Sequence, residues 1–211
     1  MNDIKRKLQI KFHRDLIVDT AEKMFQSFGL EKTIMDQIAK EAGYSKATIY
    51  AYFKSKEEIF NFIILRGMNI LKKYFEEAVN SDKAIEDKCY DLCFAFSNFQ
   101  EKYPLHFEGI LGNINIDFNE CDENDIIYQI YLSGEALNLI AGKLIEEGVK
   151  TGALRKDLKV KEAVFMLWAS VSGIVRIAAQ KEIYIEKYIT ISKYEFMRYS
   201  FSLLINSLKE R

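Results

Sequence analysis

A chain of 211 residues, 49% hydrophobic and 29% charged, is long enough for one large or two smaller well-buried domains, which excludes a disordered tail. Its single proline, Pro104, and its 10 glycines leave little punctuation for many short strands joined by turns, so the expected class is all-α. Three cysteines (Cys89, Cys93 and Cys121) give no disulfide framework, the charged start carries no apolar leader, and the runs Ile59 to Leu65 and Ala163 to Val171 fall short of the roughly 20 residues of a membrane span; a reduced, cytoplasmic chain without membrane insertion is expected. The net charge of −1 is slightly asymmetric, with 11 Lys and Arg against 9 Asp and Glu up to Phe60 and 19 against 22 beyond it. That sign suits a DNA-binding head on a mildly acidic body and carries little weight alone.

In chain order, Arg14 to Phe28 sets Ile17, Ala21, Met24, Phe25 and Phe28 on one helical face, and Gly29 ends that helix. Thr33 is then the expected N-cap of a short second helix, with Asp36 at N3 and Met35, Ile38, Ala39 and Ala42 as its apolar stripe. Gly43 closes it in the left-handed conformation. Ser45 caps a third helix, Lys46 to Phe53, across the tight turn Gly43-Tyr44, which is a helix-turn-helix pattern. Ser55 opens a fourth helix with a capping box through Glu58, running to about Val79. Further helices are expected at about Lys83 to Tyr103, Leu105 to Leu111, Asp125 to Lys150, Val160 to Gln180 and Ile189 to Lys209, about nine in all, with a polar loop from Asn113 to Asp125.

The stretch from Thr33 to Phe60, TIMDQIAKEAGYSKATIYAYFKSKEEIF, resembles the DNA-binding head of the tetracycline-repressor (TetR) family. Thr33, Ile38, Ala39, Ala42, Gly43, Ser45, Tyr50, Tyr52, Phe53 and Lys56 fall at that family's spacing; Tyr44 stands where a small aliphatic residue is common, and Ala47 where glycine is frequent. A fainter resemblance covers Glu147, Gly148, Gly152, Leu154, Arg155, Asp157 and Leu158 and the following helix with Trp168 and Gly173, which look like the family's junction before its dimer helices. It implies a ligand-responsive regulator, with a DNA-binding domain over residues 1–55 and an effector-binding and dimerisation domain over 56–211. No cofactor is implied.

The residues carry the same reading without the family. A helix in the major groove exposes short polar or basic side chains at its start while its far side anchors in the core. Lys46 suits guanine acceptors, Thr48 a thymine methyl or a base acceptor, and Ile49 and Phe53 would face inward. Thr33, Ser45, Tyr50, Tyr52 and Lys56 can supply phosphate-gripping hydroxyls and an ammonium. Taken singly, Thr33, Ser45 and Ser55 are equally well read as caps, and Tyr50 and Tyr52 as half-buried aromatics; the pattern as a whole points to double-stranded operator DNA. The basic start, Lys5, Arg6, Lys7, Lys11 and Arg14, is read as a solvated end or an arm along phosphates.

The fifth helix is unusually aromatic, with Tyr90, Phe94, Phe96, Phe99 and Tyr103, and Phe107, Tyr128, Tyr131 and Trp168 join it. The resemblance implies a small-molecule effector cavity beside it; a solid aromatic core is the bland alternative. Gln100, Glu108, Glu135 and Asn138 are candidate polar anchors, although a residue such as Glu135 on a long helix is more often at a solvated edge, and a hydrophobic or amphipathic effector is expected. Ala163, Leu167, Ser170, Val171 and Ile174, then Met197, Phe201, Leu204, Ile205 and Leu208, give the last two helices apolar stripes read as a homodimer interface, with intramolecular packing as the alternative. Two histidines, His13 and His106, and no nucleophile, phosphate-loop or metal-ligand spacing speak against an enzyme. A redox or metal response through Cys89, Cys93 and Cys121, or a helical protein-interaction module without DNA, are the rivals.

Overall fold

The computed structural model describes residues 2–112, 122 and 125–210, with side chains from Ile4 onward. Among the described residues every regular element is helical. The helices are α1 (Asn2–Phe28), α2 (Met35–Glu41), α3 (Lys46–Tyr52), α4 (Lys56–Val79), α5 (Ile85–Lys102), α6 (Pro104–Ile110), α7 (Ile126–Thr151), α8 (Val160–Gln180), α9 (Glu182–Tyr184) and α10 (Lys193–Asn206). A π-helical turn, Ile185–Ile189, continues α9 and ends at Thr190, whose φ of 62° is left-handed. Most of the expected loop from Asn113 lies outside the described residues, as does Cys121. The chain divides into two compact units, Met1–Gly67 with Glu108–Tyr131, and Met68–Phe107 with Leu132–Arg211.

In the first unit, Ile17, Val18, Ala21 and Phe25 of α1, Ile38 and Ala39 of α2, Ile49 of α3, and Phe53 are buried together with Ile59, Ile63 and Ile64 of α4. Phe28, expected on the inner stripe, is 62% exposed in the last turn before Gly29, and Val18 is buried instead. Arg66 of α4 holds α1 by hydrogen bonds to Asp15 (3.1 Å) and Asp19. The α2–α3 turn is built as its glycine demanded. Gly43 has φ +75°, its N–H donates to Lys40 O (3.1 Å) and the Tyr44 N–H to Ala39 O (2.8 Å), the two bonds of a Schellman turn.

Two expectations fail here for local reasons. Thr33 does not cap α2: its side chain is fully buried and its hydroxyl donates back to Gly29 O (2.9 Å), while Ile34 occupies the cap position and its N–H donates to Gln37 Oε1 (3.2 Å). The Ser55 box at α4 is offset by one residue. Ser55 Oγ accepts from the Glu58 N–H (3.2 Å), but the Glu58 carboxylate reaches the Lys54 N–H (2.6 Å). The basic start is helical, α1 running from Asn2, with Lys5, Arg6, Lys7 and Lys11 exposed, whereas Arg14 folds inward, its guanidinium 4.8 and 4.6 Å from the ring centroids of Phe53 and Phe62 and its tip 3.6 Å from Glu58.

In the second unit α5, α8 and α10 pack against one another around Phe96, Val171, Val175, Phe201 and Ile205. Gly152, at φ +77°, ends α7, and the Leu154 N–H returns to Gly148 O (3.0 Å). The Arg155 N–H then donates to Leu208 O (2.9 Å), tying the α7–α8 turn to the end of α10. By length and composition α8 is apolar enough to cross a bilayer, with a mean hydropathy of 1.5 over its best window, against the expectation from uninterrupted runs alone. The cause is two apolar faces. Ala163, Val164, Val171, Val175 and Ala178 are buried, while Phe165, Ala169, Gly173 and Ile177, spaced four apart, are exposed.

Candidate DNA interface and effector cavity

Ser45 sets the start of α3. In extended backbone (φ −73°, ψ 158°) its hydroxyl accepts from the Thr48 N–H (3.1 Å) and lies 2.8 Å from Thr48 Oγ1, so both predicted polar residues are joined in one cap. Ile49 and Phe53, 0% and 1% exposed, root the helix in the core, as their spacing predicts. Lys46, Ala47 and Tyr50 are left on the exposed side. Lys46 is not idle in the free protein: its Nζ lies 2.9 Å from Asp36 Oδ2 across the turn, and this hydrogen bond raises the lysine pKa.

Tyr52 is half-buried in a ring cluster that the sequence did not announce. The centroid of His13 on α1 lies 5.7 Å from those of both Tyr44 and Tyr52, and its Nδ1 is 2.5 Å from the Tyr44 hydroxyl. Thirty-one positions separate the two hydrogen-bonded residues, so helical spacing could not join them; the hint was Tyr44 itself, a phenol where an aliphatic residue is usual. Lys56 donates to Leu30 O (2.8 Å) and Glu31 O (3.2 Å), closing the α1–α2 turn. Thr33, buried and bonded to Gly29, presents no side-chain surface. Ser45, Lys46, Thr48, Tyr50 and Tyr52 thus share one small helix and its cap, whereas Thr33 and Lys56 brace the turn before it.

The second unit holds a small cavity of about 40 Å³, lined by apolar side chains including Phe75, Phe96, Leu144, Val164, Trp168 and Ile205. Of the predicted effector residues, Phe96 and Trp168 face it, with rings 5.2 Å apart edge to face. Phe107 is fully buried behind Phe96 (5.1 Å), and Phe99 packs on Tyr74 and Tyr103. Phe94 turns to α10, stacked on Tyr194. Gln100 is half-buried outside the lining. Tyr128 and Tyr131 lie in the first unit, 6.2 Å apart. Glu135 is exposed, its carboxylate accepting from Asn138 Nδ2 (2.9 Å), and Glu108 is exposed as well; Asn138 Oδ1 takes the Trp168 indole N–H (2.8 Å). Of the polar candidates only Asn138 therefore touches the cavity wall, by fixing the Trp168 indole, and the lining itself is apolar.

Cys89 and Cys93 face the same space. Burial pushes the Cys89 thiol up to about 11 and that of Cys93 to about 12, so neither is a ready nucleophile or metal ligand at neutral pH. Among the described residues no group of three or more His, Cys, Asp or Glu is placed to hold a metal.

The family model for bacterial regulatory proteins of the tetR family matches residues 17–63, the stretch that contains α2, α3 and the cap of α4. YhgD, an HTH-type transcriptional regulator of Bacillus subtilis, is 32% identical over 142 residues, covering 67% of this chain and 72% of that protein. The chain belongs to the TetR family. This TetR-family regulator is also 26% identical over 160 residues to the fatty acid metabolism regulator protein of Bacillus subtilis, covering 75% of this chain and 79% of that one. Its fold is that of the fatty acid degradation regulator FadR from Bacillus halodurans, with a TM-score of 0.68 at 19% identity over 94% of this chain and 97% of the other. A ligand-responsive DNA-binding regulator, and not an enzyme, is what membership means for this chain.

Proposed function

We propose that this regulator represses transcription by binding a palindromic operator as a homodimer, and lets go when a hydrophobic or amphipathic molecule enters the cavity of the second unit. DNA binding is assigned to residues 1–55, and effector binding and dimerisation to residues 56–211. The observation that carries the reading is the exposed side of α3, where Lys46 and Tyr50 stand outward beside the half-buried, cap-bonded Thr48 on a helix rooted by Ile49 and Phe53. Lys46 reads guanine after leaving Asp36, Thr48 meets a base edge, and Tyr50, Tyr52 and the Ser45 hydroxyl meet backbone phosphates. Thr33 and Lys56 hold the preceding turn in register for those contacts.

The apolar lining supports a hydrophobic effector, and two relatives are named for fatty acid metabolism or degradation, so a long acyl chain is the ligand class we assign; at about 40 Å³ the cavity must widen by movement of its lining side chains to admit one. Phe96 and Trp168 contact it. The dimer forms through the outward faces of α8 (Phe165, Ala169, Gly173, Ile177) and α10 (Tyr199, Leu203), which a lone chain leaves in water. The inner stripes that the sequence nominated, Val171, Phe201 and Ile205 among them, are instead this chain's own core.

The test is a titration of the purified protein against a duplex carrying the intergenic sequence upstream of its own gene, with and without a long-chain fatty acid. Two recognition helices about 34 to 36 Å apart should protect successive major grooves with two-fold symmetry. Fatty acid should weaken the complex, and DNA should weaken fatty-acid binding by the same factor. Absence of any sequence preference overturns the DNA reading; tightening by the fatty acid turns the repressor into one that needs a corepressor.

A further inference from the structure

We infer that the effector reaches the cavity from a surface groove between α7 and α8, where Lys143 and Lys161 hold its anionic end and Trp168 is the door its chain passes. The inference rests on the proposal that a long acyl chain is the effector. The cavity, at about 40 Å³, is too small for such a chain, whereas the groove, at about 530 Å³, falls within the roughly 300–1,000 Å³ of ordinary ligand sites. A thin wall separates the two. Val164 lines both, and Asn138 on the groove side accepts the indole N–H of Trp168 on the cavity side (2.8 Å). Trp168 is half-buried, as are Leu92 and Leu167, while the rest of the cavity lining is buried. Its ring contacts, with Phe75 at 5.7 Å and Phe96 at 5.2 Å, are replaced in kind when a hydrocarbon chain slides in beside them. The Asn138 bond breaks at the edge of an open groove, where water can take both groups, so opening strands no buried polar atom. α7 meets α8 here through Gly142, whose position leaves even a Cβ 3.6 Å from Val160 and 3.9 Å from Val164, so Val164 has room to turn as the indole moves.

The groove has a place for each end of an amphipathic molecule. Glu135 is committed to Asn138 Nδ2 (2.9 Å), which leaves the exposed Lys143, Lys161 and Glu146 as the charges a ligand meets. Two ammonium groups against one carboxylate favour an anion. Leu139, Val160 and Phe165 give the same groove an apolar surface for the first part of a chain, Phe165 standing where the groove meets the outward face of α8. A carboxylate therefore stays in water beside the lysines, and the chain runs past Trp168 into a cavity with an apolar lining.

Trp168 is the chain's single tryptophan, so its own fluorescence reports passage through the door. Dodecanoate and the uncharged dodecanol are mixed in stopped flow with the intact protein, Asn138→Leu, Leu92→Ala and the double variant Lys143→Gln, Lys161→Gln, each checked for unchanged helicity by circular dichroism. Asn138→Leu removes the latch from the closed state, whereas the filled state, with the indole already displaced, has none to lose. Association of dodecanol should therefore speed up at least threefold, with dissociation little changed; the uncharged ligand is used because the freed Glu135 carboxylate would repel dodecanoate. The lysine variant should lose at least fivefold in affinity for dodecanoate and keep its affinity for dodecanol. Unchanged or slower association in Asn138→Leu, or acceleration by Leu92→Ala in its place, overturns the door. No loss in the lysine variant, or equal loss for both ligands, overturns the anionic end. Either result leaves the fatty-acid reading intact as long as the unmodified protein binds dodecanoate; failure of that protein to bind either ligand strikes the reading and the inference together.

Discussion

Replacing Gly148 by alanine should destabilise the protein, although a glycine-to-alanine change inside a helix ordinarily stabilises by about 1 kcal/mol. Gly148 lies within α7, and a Cβ built on it would stand 2.6 Å from both Cγ and Cδ1 of Leu154 and 3.0 Å from Cγ2 of Ile85. Leu154 is 1% exposed and Ile85 8%, so neither side chain has free room to retreat. Overpacking of this kind costs about 1–3 kcal/mol, which offsets the propensity gain and leaves a net loss between about zero and 2 kcal/mol. The same helix carries its own control. A Cβ at Gly134 meets nothing within 4 Å, and Gly134→Ala should gain up to about 1 kcal/mol. The two variants should therefore differ by about 1–3 kcal/mol in urea unfolding at equal protein concentration, or several degrees in Tm. Leu154→Ala should absorb the clash, so that Gly148→Ala becomes harmless in that background, with a coupling of about 1–3 kcal/mol. Equal stabilisation by Gly148→Ala and Gly134→Ala would refute the reasoning. Because Leu144 and Ile145 precede Gly148 on α7 and line the cavity, the clash should also weaken fatty-acid binding.

Lys56→Ala, by removing two charge-assisted bonds to Leu30 O and Glu31 O, should lower stability by about 1–2 kcal/mol in thermal unfolding; a changed salt dependence of DNA binding at unchanged stability would make Lys56 a phosphate contact instead. Asp36→Asn should release Lys46 and strengthen upstream-duplex binding severalfold in titration, while unchanged affinity would mean that the pair does not compete with DNA. Leu203→Lys, on the exposed face of α10, should yield a folded monomer by sedimentation with loss of DNA binding; a dimer of normal affinity would exclude that face. The thiol values set a pH dependence with a definite sign. Folded Cys89 and Cys93 keep their protons to about 11 and 12, above the ordinary 9, so their contribution to stability is intact below pH 9 and is lost as pH rises from there through the folded values. Cys93→Ala should flatten the fall in stability between pH 8 and 10, and native thiols should resist alkylation at pH 8 until the protein unfolds.

The helix order was legible because each short helix of the head carries its own stop and start: Gly29, Gly43 and Ser45 act within a turn of where they stand, and their geometry needs nothing distant. Caps were less legible where a side chain has a second use. A threonine before a helix reads as a cap, yet burial beside Gly29 gives the Thr33 hydroxyl a nearer acceptor. Val160–Gln180 was placed to the residue, but which of its apolar residues face inward was not, because the helix carries two apolar faces, one buried and one exposed, and the sequence does not say which is which. The helical segment at 182–189 was missed altogether, lying in a stretch taken as connection before a helix expected from Ile189. In the site, α3 and its cap were readable, whereas the His13–Tyr44 bond and the Lys46–Asp36 pair join residues from different elements and become visible only once the turn is folded.

The Lys46–Asp36 pair also bears on how the protein finds its target among a genome of wrong sites. A free lysine at the tip of a recognition helix is attracted to every phosphate it passes, so most of its binding would be spent on DNA of no consequence. Tethered to a carboxylate 2.9 Å away on the neighbouring helix, it presents a nearly neutral tip while the protein slides. If Lys46 reads guanine as proposed, the tether should yield only where a guanine edge offers acceptors in the right place, so that random sequence gains less from this lysine than the operator does. On that reading affinity at the right site falls less than affinity elsewhere, and it is that ratio, multiplied by the number of competing sites, that decides occupancy in a cell.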